Sequence, residues 1–335
     1  MNAPTHRWLA VGLAGAVAGC AGAPPPTQPA RVTIPRGATL EAVAESLATH
    51  RIIDSPRAFR FYVRLTGRQR QLPAGTFDLP TGLGARRALN TLLTARIAEH
   101  RLVIREGLML TEIAALVDSQ LGIPSEEFLA AARDRSLAAE LDIPVPTLEG
   151  YLYPSTYLVP VNATAEAVVR QMTGEFARRW QPSWTERLRG LKKTRHEIVV
   201  LASIIEGEVR DPRDAYYISS VYHNRLARGM RLQADPTVIY ALGRRRRLYE
   251  RDYQTRSPYN TYMIDGLPPN PIGQPSSASI HAALFPERTD FLFFVARPDG
   301  SHVFSRTLRE HLRAISAVRG GRAEGTPRPA HTGPQ

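Results

Sequence analysis

Glu206 ends the strongest apolar run of the chain, Ile198-Val199-Val200-Leu201-Ala202-Ser203-Ile204-Ile205, and Gly207 follows it. A carboxyl at the edge of such a run is poorly solvated, which favours its protonated form. The run is long enough for a buried helix. Gly207 reads as its stop signal, so Glu206 falls in the last turn. There the negative end of the helix dipole acts in the same sense as burial. The expected result is a carboxyl with a raised pKa, suited to general acid catalysis such as protonation of a glycosidic oxygen. A solvated Glu at a fraying helix end has the same local sequence.

Few other residues near Glu206 compete for chemistry. Glu208 lies two positions on and points to another face of the helix, so it acts either as a like charge that raises Glu206 or as a solvated carboxylate. His223 has no second His or Cys at ligand spacing and reads as structural.

The elements that position Glu206 can be read along the chain. A helix is predicted from Thr164 to Trp180, then the Glu206 helix, then one from Ala215 to Arg228 stopped by Gly229. Asp235-Pro236 opens a helix to Leu242, Ser276 starts one to Leu284, and Thr307 starts the last. Phe291 to Ala296 and His302 to Phe304 form a hairpin across Pro298-Asp299-Gly300. Leu148 to Tyr157 is dense in aromatics and Pro, which suits either a groove wall or a packed loop. Nearer the start, Gly75 to Leu79 reads as a strand and Ala85 to Arg96 as a helix. Strands and helices do not alternate regularly, so the fold class is α+β.

The first third also contains an echo. Val32-Thr33-Ile34-Pro35-Arg36-Gly37-Ala38-Thr39-Leu40 matches Leu102-Val103-Ile104-Arg105-Glu106-Gly107-Leu108-Met109-Leu110, seventy positions on. Each copy reads as strand, Gly turn, helix and second helix. The second helices open at Ser55-Pro56 and at Ser125. The pattern resembles the start of a LysM module, a small carbohydrate-binding fold, and equally a common βα unit.

Hydrophobic residues make up 43% of the 335, which excludes wholesale disorder and allows about two domains. The net charge is +12, almost all from Arg, since Lys occurs only at 192 and 193. That charge suits an anionic surface, but a general compositional bias toward Arg, seen also in the abundance of Ala, Gly and Pro, explains it as well. A single cysteine excludes an internal disulfide framework and Cys-based zinc sites. Residues 1–20 form a basic leader, an apolar stretch and Val17-Ala18-Gly19-Cys20. This resembles a bacterial lipoprotein cleavage site with Cys20 as the lipidated residue, and a single-pass anchor is the alternative. A Pro-rich linker over 21–31 follows, and a disordered tail is expected over 319–335.

Six segments in order are more specific. They are Leu148-Glu149-Gly150-Tyr151-Leu152-Tyr153-Pro154, Leu201 to Glu206, Asn224-Arg225-Leu226, Gly229 to Tyr240, Tyr259-Asn260-Thr261-Tyr262 and Gly266-Leu267-Pro268-Pro269. Together they resemble the YceG-like, or endolytic murein transglycosylase (MltG), family. The resemblance implies a LysM-like domain over 32–100 and a catalytic domain over 101–318. It also implies an envelope-anchored lyase, inner membrane favoured, that cuts nascent peptidoglycan within glycan strands and works beside peptidoglycan synthases. Glu206 falls on the catalytic glutamate. One carboxyl suffices: it protonates the oxygen leaving C1 of N-acetylmuramic acid, then takes the proton of that sugar's C6 hydroxyl as a 1,6-anhydro ring closes. No metal or organic cofactor is implied. Gly207 departs from the family pattern, which often has Lys there.

Candidate substrate-binding residues are Asn224, Gln233, Asp235, Tyr259, Asn260 and Glu149. The two amides Asn224 and Gln233 suit sugar hydroxyl or acetamido groups, or internal hydrogen bonds. Asp235 before Pro236 also carries the signature of a helix N-cap. Tyr259, Asn260 and Tyr262 lie in an irregular stretch too long for a mere connection. Glu149 either binds sugar or braces its loop. The competing functions are a muramidase that uses water, a wall-binding lipoprotein without activity, and a nucleic-acid binder suggested by Arg244 to Arg247. The leader and the lack of a recognition motif argue against nucleic acid. The Arg run itself reads as a solvated loop.

Overall fold

The protein is described from a computed structural model that covers residues 29–145 and 147–320. The leader with Cys20, most of the Pro-rich linker and the tail lie outside the described residues. The chain divides into two compact units between Ala98 and Glu99.

The first unit runs β1 (Ala30–Ile34), α1 (Leu40–Thr49), α2 (Pro56–Leu65), β2 (Gly75–Leu79) and α3 (Ala85–Thr94). β1 and β2 pair antiparallel, with Val32 opposite Phe77. Thr39 Oγ1 accepts from Ala42 N–H and starts α1, while Ser55 caps α2 with Pro56 in its first turn. Val32, Leu47, Phe59, Phe77 and Leu89 meet in a core with no exposed surface.

The second unit begins with β3 (Glu99–Val103), α4 (Leu110–Leu121), α5 (Ser125–Ala132), α6 (Arg135–Glu140) and β4 (Thr156–Pro160). It continues with α7 (Ala165–Arg179), α8 (Pro182–Leu191), α9 (Arg195–Glu208), α10 (Ala215–Ala227) and α11 (Asp235–Ala241). α12 (Ser277–Leu284), β5 (Phe293–Ala296), β6 (His302–Ser305) and α13 (Leu308–Arg319) close it. β3 pairs antiparallel with β4, and β5 with β6, so every sheet among the described residues has two strands. The class is mixed α+β. α9 runs through the core: Ile198 to Ile205 are all buried, as an all-round apolar helix requires.

Two expectations change, and one open choice is decided in favour of packing. Gly207 does not stop α9, which continues through Glu208. A Cβ at Gly207 would lie 2.6 Å from Cβ and 2.8 Å from Cγ of Pro236, so the glycine lets α9 and α11 approach closely. The segment from Leu148 to Tyr157 is not a groove wall. Leu148, Tyr151, Leu152, Tyr153 and Tyr157 are buried, and Tyr157 belongs to β4, opposite Leu102. The run Arg244 to Arg247 is not simply solvated, because Arg245 pairs with Glu112 and Arg246 with Asp252.

Candidate active site

Glu206 lies in the last turn of α9, partly exposed, on the wall of a cleft of about 400 Å³. Arg105, Gly107, Pro236, Ile239, Arg245 and Ile272 share that cleft. Two hollows of about 510 and 540 Å³ lie elsewhere, beside Asp142 and beside Asn224, and neither contains Glu206. Volume does not choose among the three, and each has a carboxylate in its lining; the cleft at Glu206 is the most enclosed of them and the one at the end of the buried helix α9.

The start of α12 fixes the carboxyl. Ser276 donates to Glu206 Oε2 from its backbone N–H at 2.9 Å and from its hydroxyl at 2.6 Å. The same hydroxyl oxygen accepts from Ser279 N–H and caps α12. Oε1 has no donor among the described residues. One oxygen is therefore held by the protein and the other is left for a ligand.

The opposite wall is the turn between β3 and α4. Gly107 takes φ of +71°, which favours glycine, and its Cβ position is 3.7 Å from Glu206 Cγ. Gly107 N–H donates to the Gln274 carbonyl at 2.8 Å, and Gln274 N–H donates to the Leu108 carbonyl at 3.0 Å. A Cβ on Gly273 would meet the Gly107 carbonyl oxygen at 2.9 Å, so the two strands of backbone touch.

Glu149 secures the turn from behind. It is 2% exposed, and both its oxygens accept from Leu110 N–H at 3.0 Å. Gln274 Nε2 donates to Oε1 at 2.7 Å and the Tyr240 hydroxyl to Oε2 at 3.2 Å. Burial pushes this carboxyl up to about 8, against the pull of the Leu110 and Tyr240 donors. A proton on Oε2 then turns the Tyr240 hydroxyl into an acceptor. Glu149 thus braces the loop and reaches no solvent.

Arg245 ties the turn from the front. Its Nε and Nη2 donate to the two Glu112 oxygens at 2.7 and 3.0 Å, and Nη2 also donates to the Gly107 carbonyl. Burial alone would raise Glu112, but hydrogen bonds from Arg245 and from Met109 N–H hold it below the usual carboxylate range.

The remaining candidates lie apart from the carboxyl. Asp235 is the first residue of α11, not a side-chain cap; the position before the helix is Ala234. Its oxygens accept from the Tyr262 hydroxyl at 2.7 Å and the Tyr253 hydroxyl at 3.4 Å. Asn260 is fully buried, donating to the Tyr253 and Thr255 carbonyls and accepting from Tyr262 N–H. The Tyr259 ring packs tilted against that of Tyr240, with centroids 4.7 Å apart, and its hydroxyl accepts from Asn270. Asn224 donates to the Thr289 and Phe291 carbonyls, both at 2.9 Å, and pins that strand entry. Gln233 is exposed, with φ of +48°, and its N–H donates to the Thr261 carbonyl. His223 Nε2 contacts the Ala283 carbonyl at 2.8 Å. Glu208 accepts from the Tyr222 hydroxyl at 3.0 Å; burial of its carboxylate, then the Asp235 charge, push it up to about 7.

Sequence reasoning did not find Ser276 or Arg245 as site residues. Ser276 was legible only as a helix start. Arg245 carries no local signal, since Glu112 lies 133 positions away.

Comparison with known proteins places the chain. An endolytic murein transglycosylase of Bacillus subtilis (strain 168) is 32% identical over 302 residues, covering 84% of this chain and 83% of that protein. One from Streptococcus pneumoniae serotype 2 (strain D39) is 27% identical over 318 residues, and this chain spans 57% of its length. A crystal structure of a YceG-like protein from Listeria monocytogenes aligns with a TM-score of 0.59 at 32% identity, over 86% of this chain and 99% of that one. The YceG-like family model matches residues 32–317, and the chain belongs to that family.

Proposed function

We propose that this protein is a lytic transglycosylase that cleaves the N-acetylmuramic acid to N-acetylglucosamine bond within peptidoglycan strands and leaves 1,6-anhydro ends. The observation that carries this reading is how Glu206 is held: Oε2 has two Ser276 donors and Oε1 has none among the described residues. Oε1 is the oxygen that hands a proton to the leaving glycosidic oxygen in this mechanism. Once it has left, the same oxygen accepts the proton of the C6 hydroxyl as that oxygen closes on C1. Holding Oε2 keeps Oε1 aimed through both steps and limits the reorganisation each requires. The names borne by the relatives support the same substrate.

Cleavage within nascent strands beside synthases, in the cell envelope, is the setting this activity fits. Anchoring through Cys20 or a single-pass segment belongs to the same proposal; among the described residues no helix is long and apolar enough to cross a membrane. A LysM-like, glycan-binding role for the first unit is supported by its order β1, α1, α2, β2.

The test is the Glu206→Gln variant on purified glycan strands. The substitution keeps the Ser276 contacts sterically possible and removes the acid. Turnover should fall by roughly 10³-fold or more while the melting temperature stays near wild type. Retained cleavage would remove Glu206 from the reaction. The hydrolytic alternative needs a second carboxylate in the cleft, and Glu106 is the unpaired one that lines it.

A further inference from the structure

The cleft has two guanidiniums in its lining as well as the carboxylates Glu206 and Glu106. Arg105 and Arg245 both line it with Glu206. Arg245 is fixed by Glu112 and the Gly107 carbonyl, yet 51% of its side chain remains exposed, and only Nε and Nη2 are used. Arg105 opens the turn. It is exposed and has no ion-pair or side-chain hydrogen-bond partner among the described residues. One cleft thus has two guanidiniums in its lining, one anchored and one unpaired, and the fork of N–H donors on each matches a carboxylate. Glu106, on the same rim, works against an incoming anion, and Glu112 is already engaged by Arg245.

We propose that Arg105 and Arg245 form a carboxylate-reading wall that engages the stem-peptide carboxylates of the strand being cut. This rests on the peptidoglycan reading above. The sugars of the strand are neutral; charge enters through the peptides borne by each muramic acid, so a guanidinium pair in the cleft selects strands that still carry them. A carboxylate has one other source. Removing the peptide exposes the lactyl carboxylate of the muramic acid itself.

Fluorescence anisotropy of labelled strands on full-length Glu206→Gln separates these, since nothing is turned over. The strands are native, carboxamide-converted, and stripped of peptide to expose the lactyl group. Adding Arg105→Gln should weaken native strands about tenfold, the scale of one charge-assisted hydrogen bond. It should leave the carboxamide strands and the stripped strands unchanged. Glu106→Gln should tighten native strands only. Arg105→Lys should recover part of the loss, with melting temperatures unchanged throughout. An equal loss on carboxamide strands, no loss on native strands, or a loss confined to stripped strands overturns the proposal. Absence of anhydro ends from wild-type protein would instead sink the transglycosylase reading, and the binding comparison would still be read.

Discussion

The two strand–glycine–helix copies use one backbone device for two ends. At Gly37 (φ +76°) a Cβ would meet nothing within 4 Å, and the adjoining hollow of about 230 Å³ has no Asp or Glu in its lining. At Gly107 (φ +71°) the Cβ position points at Glu206. The helix starts differ as well. Thr39 caps α1 locally, bonding Ala42 N–H at 3.2 Å. At the matching position of α4 stands Met109, whose side chain makes no cap hydrogen bond. Its N–H and that of Leu110 are served by Glu112 and Glu149 instead. The first turn is self-sufficient. The second has exchanged its local cap for carboxylates that tie it to Arg245, Gln274 and Tyr240, so its position is set by distant parts of the second unit.

The sharpest way to break this comparison is to lengthen both glycines. Both substitutions strain a left-handed residue by about 1 kcal/mol. Gly107→Leu should also drive its side chain at Glu206 and lower kcat/KM by about 100-fold, the scale of a misplaced catalytic group. Gly37→Leu should leave turnover on soluble strands unchanged. Equal losses would show that the turns are not functionally distinct.

Removing the long-range brace should cost more stability than removing the local cap. Glu149→Ala strands the Leu110 N–H and the Gln274 amide in a buried site, a loss of about 2–4 kcal/mol in denaturant unfolding. Thr39→Ala should cost about 1 kcal/mol.

The brace also carries a pH signature. Glu149 is raised from 4.5 to about 8 and Glu208 from 4.5 to about 7. Between those values the native state binds more protons than the unfolded chain. Their stabilising contribution is complete below about pH 4.5 and is lost as pH rises through 7 to 8. Glu149→Gln, neutral throughout, should flatten that decline in a melting-temperature profile. An unchanged slope would place the proton elsewhere.

Much of the fold was legible because its signals are local. Ser55-Pro56, Thr164, Ser276 and Thr307 all cap the helices they were read to start. The echo at Gly37 and Gly107 was visible as a repeated pattern, and the apolar run announced α9 and Glu206. β4 was missed because its Tyr and Pro residues suggested a loop, and α6 and α8 lacked a clear apolar stripe. Gly207 was misread as a stop because its partner, Pro236, is distant in sequence. The site's supports fail to show for the same reason: Ser276 reaches Glu206 across 70 positions and Gln274 reaches Glu149 across 125. Residue type and spacing pick out Glu206 as the candidate acid, but only the folded chain shows what holds it.

The central claim is that Glu206 acts alone, with the sugar supplying the nucleophile. Its most direct test is mass spectrometry of strand ends produced by wild-type protein in ¹⁸O-water. The account predicts 1,6-anhydro ends without label, because no water enters the product. Reducing ends carrying ¹⁸O would contradict it and assign the cleft to a hydrolase.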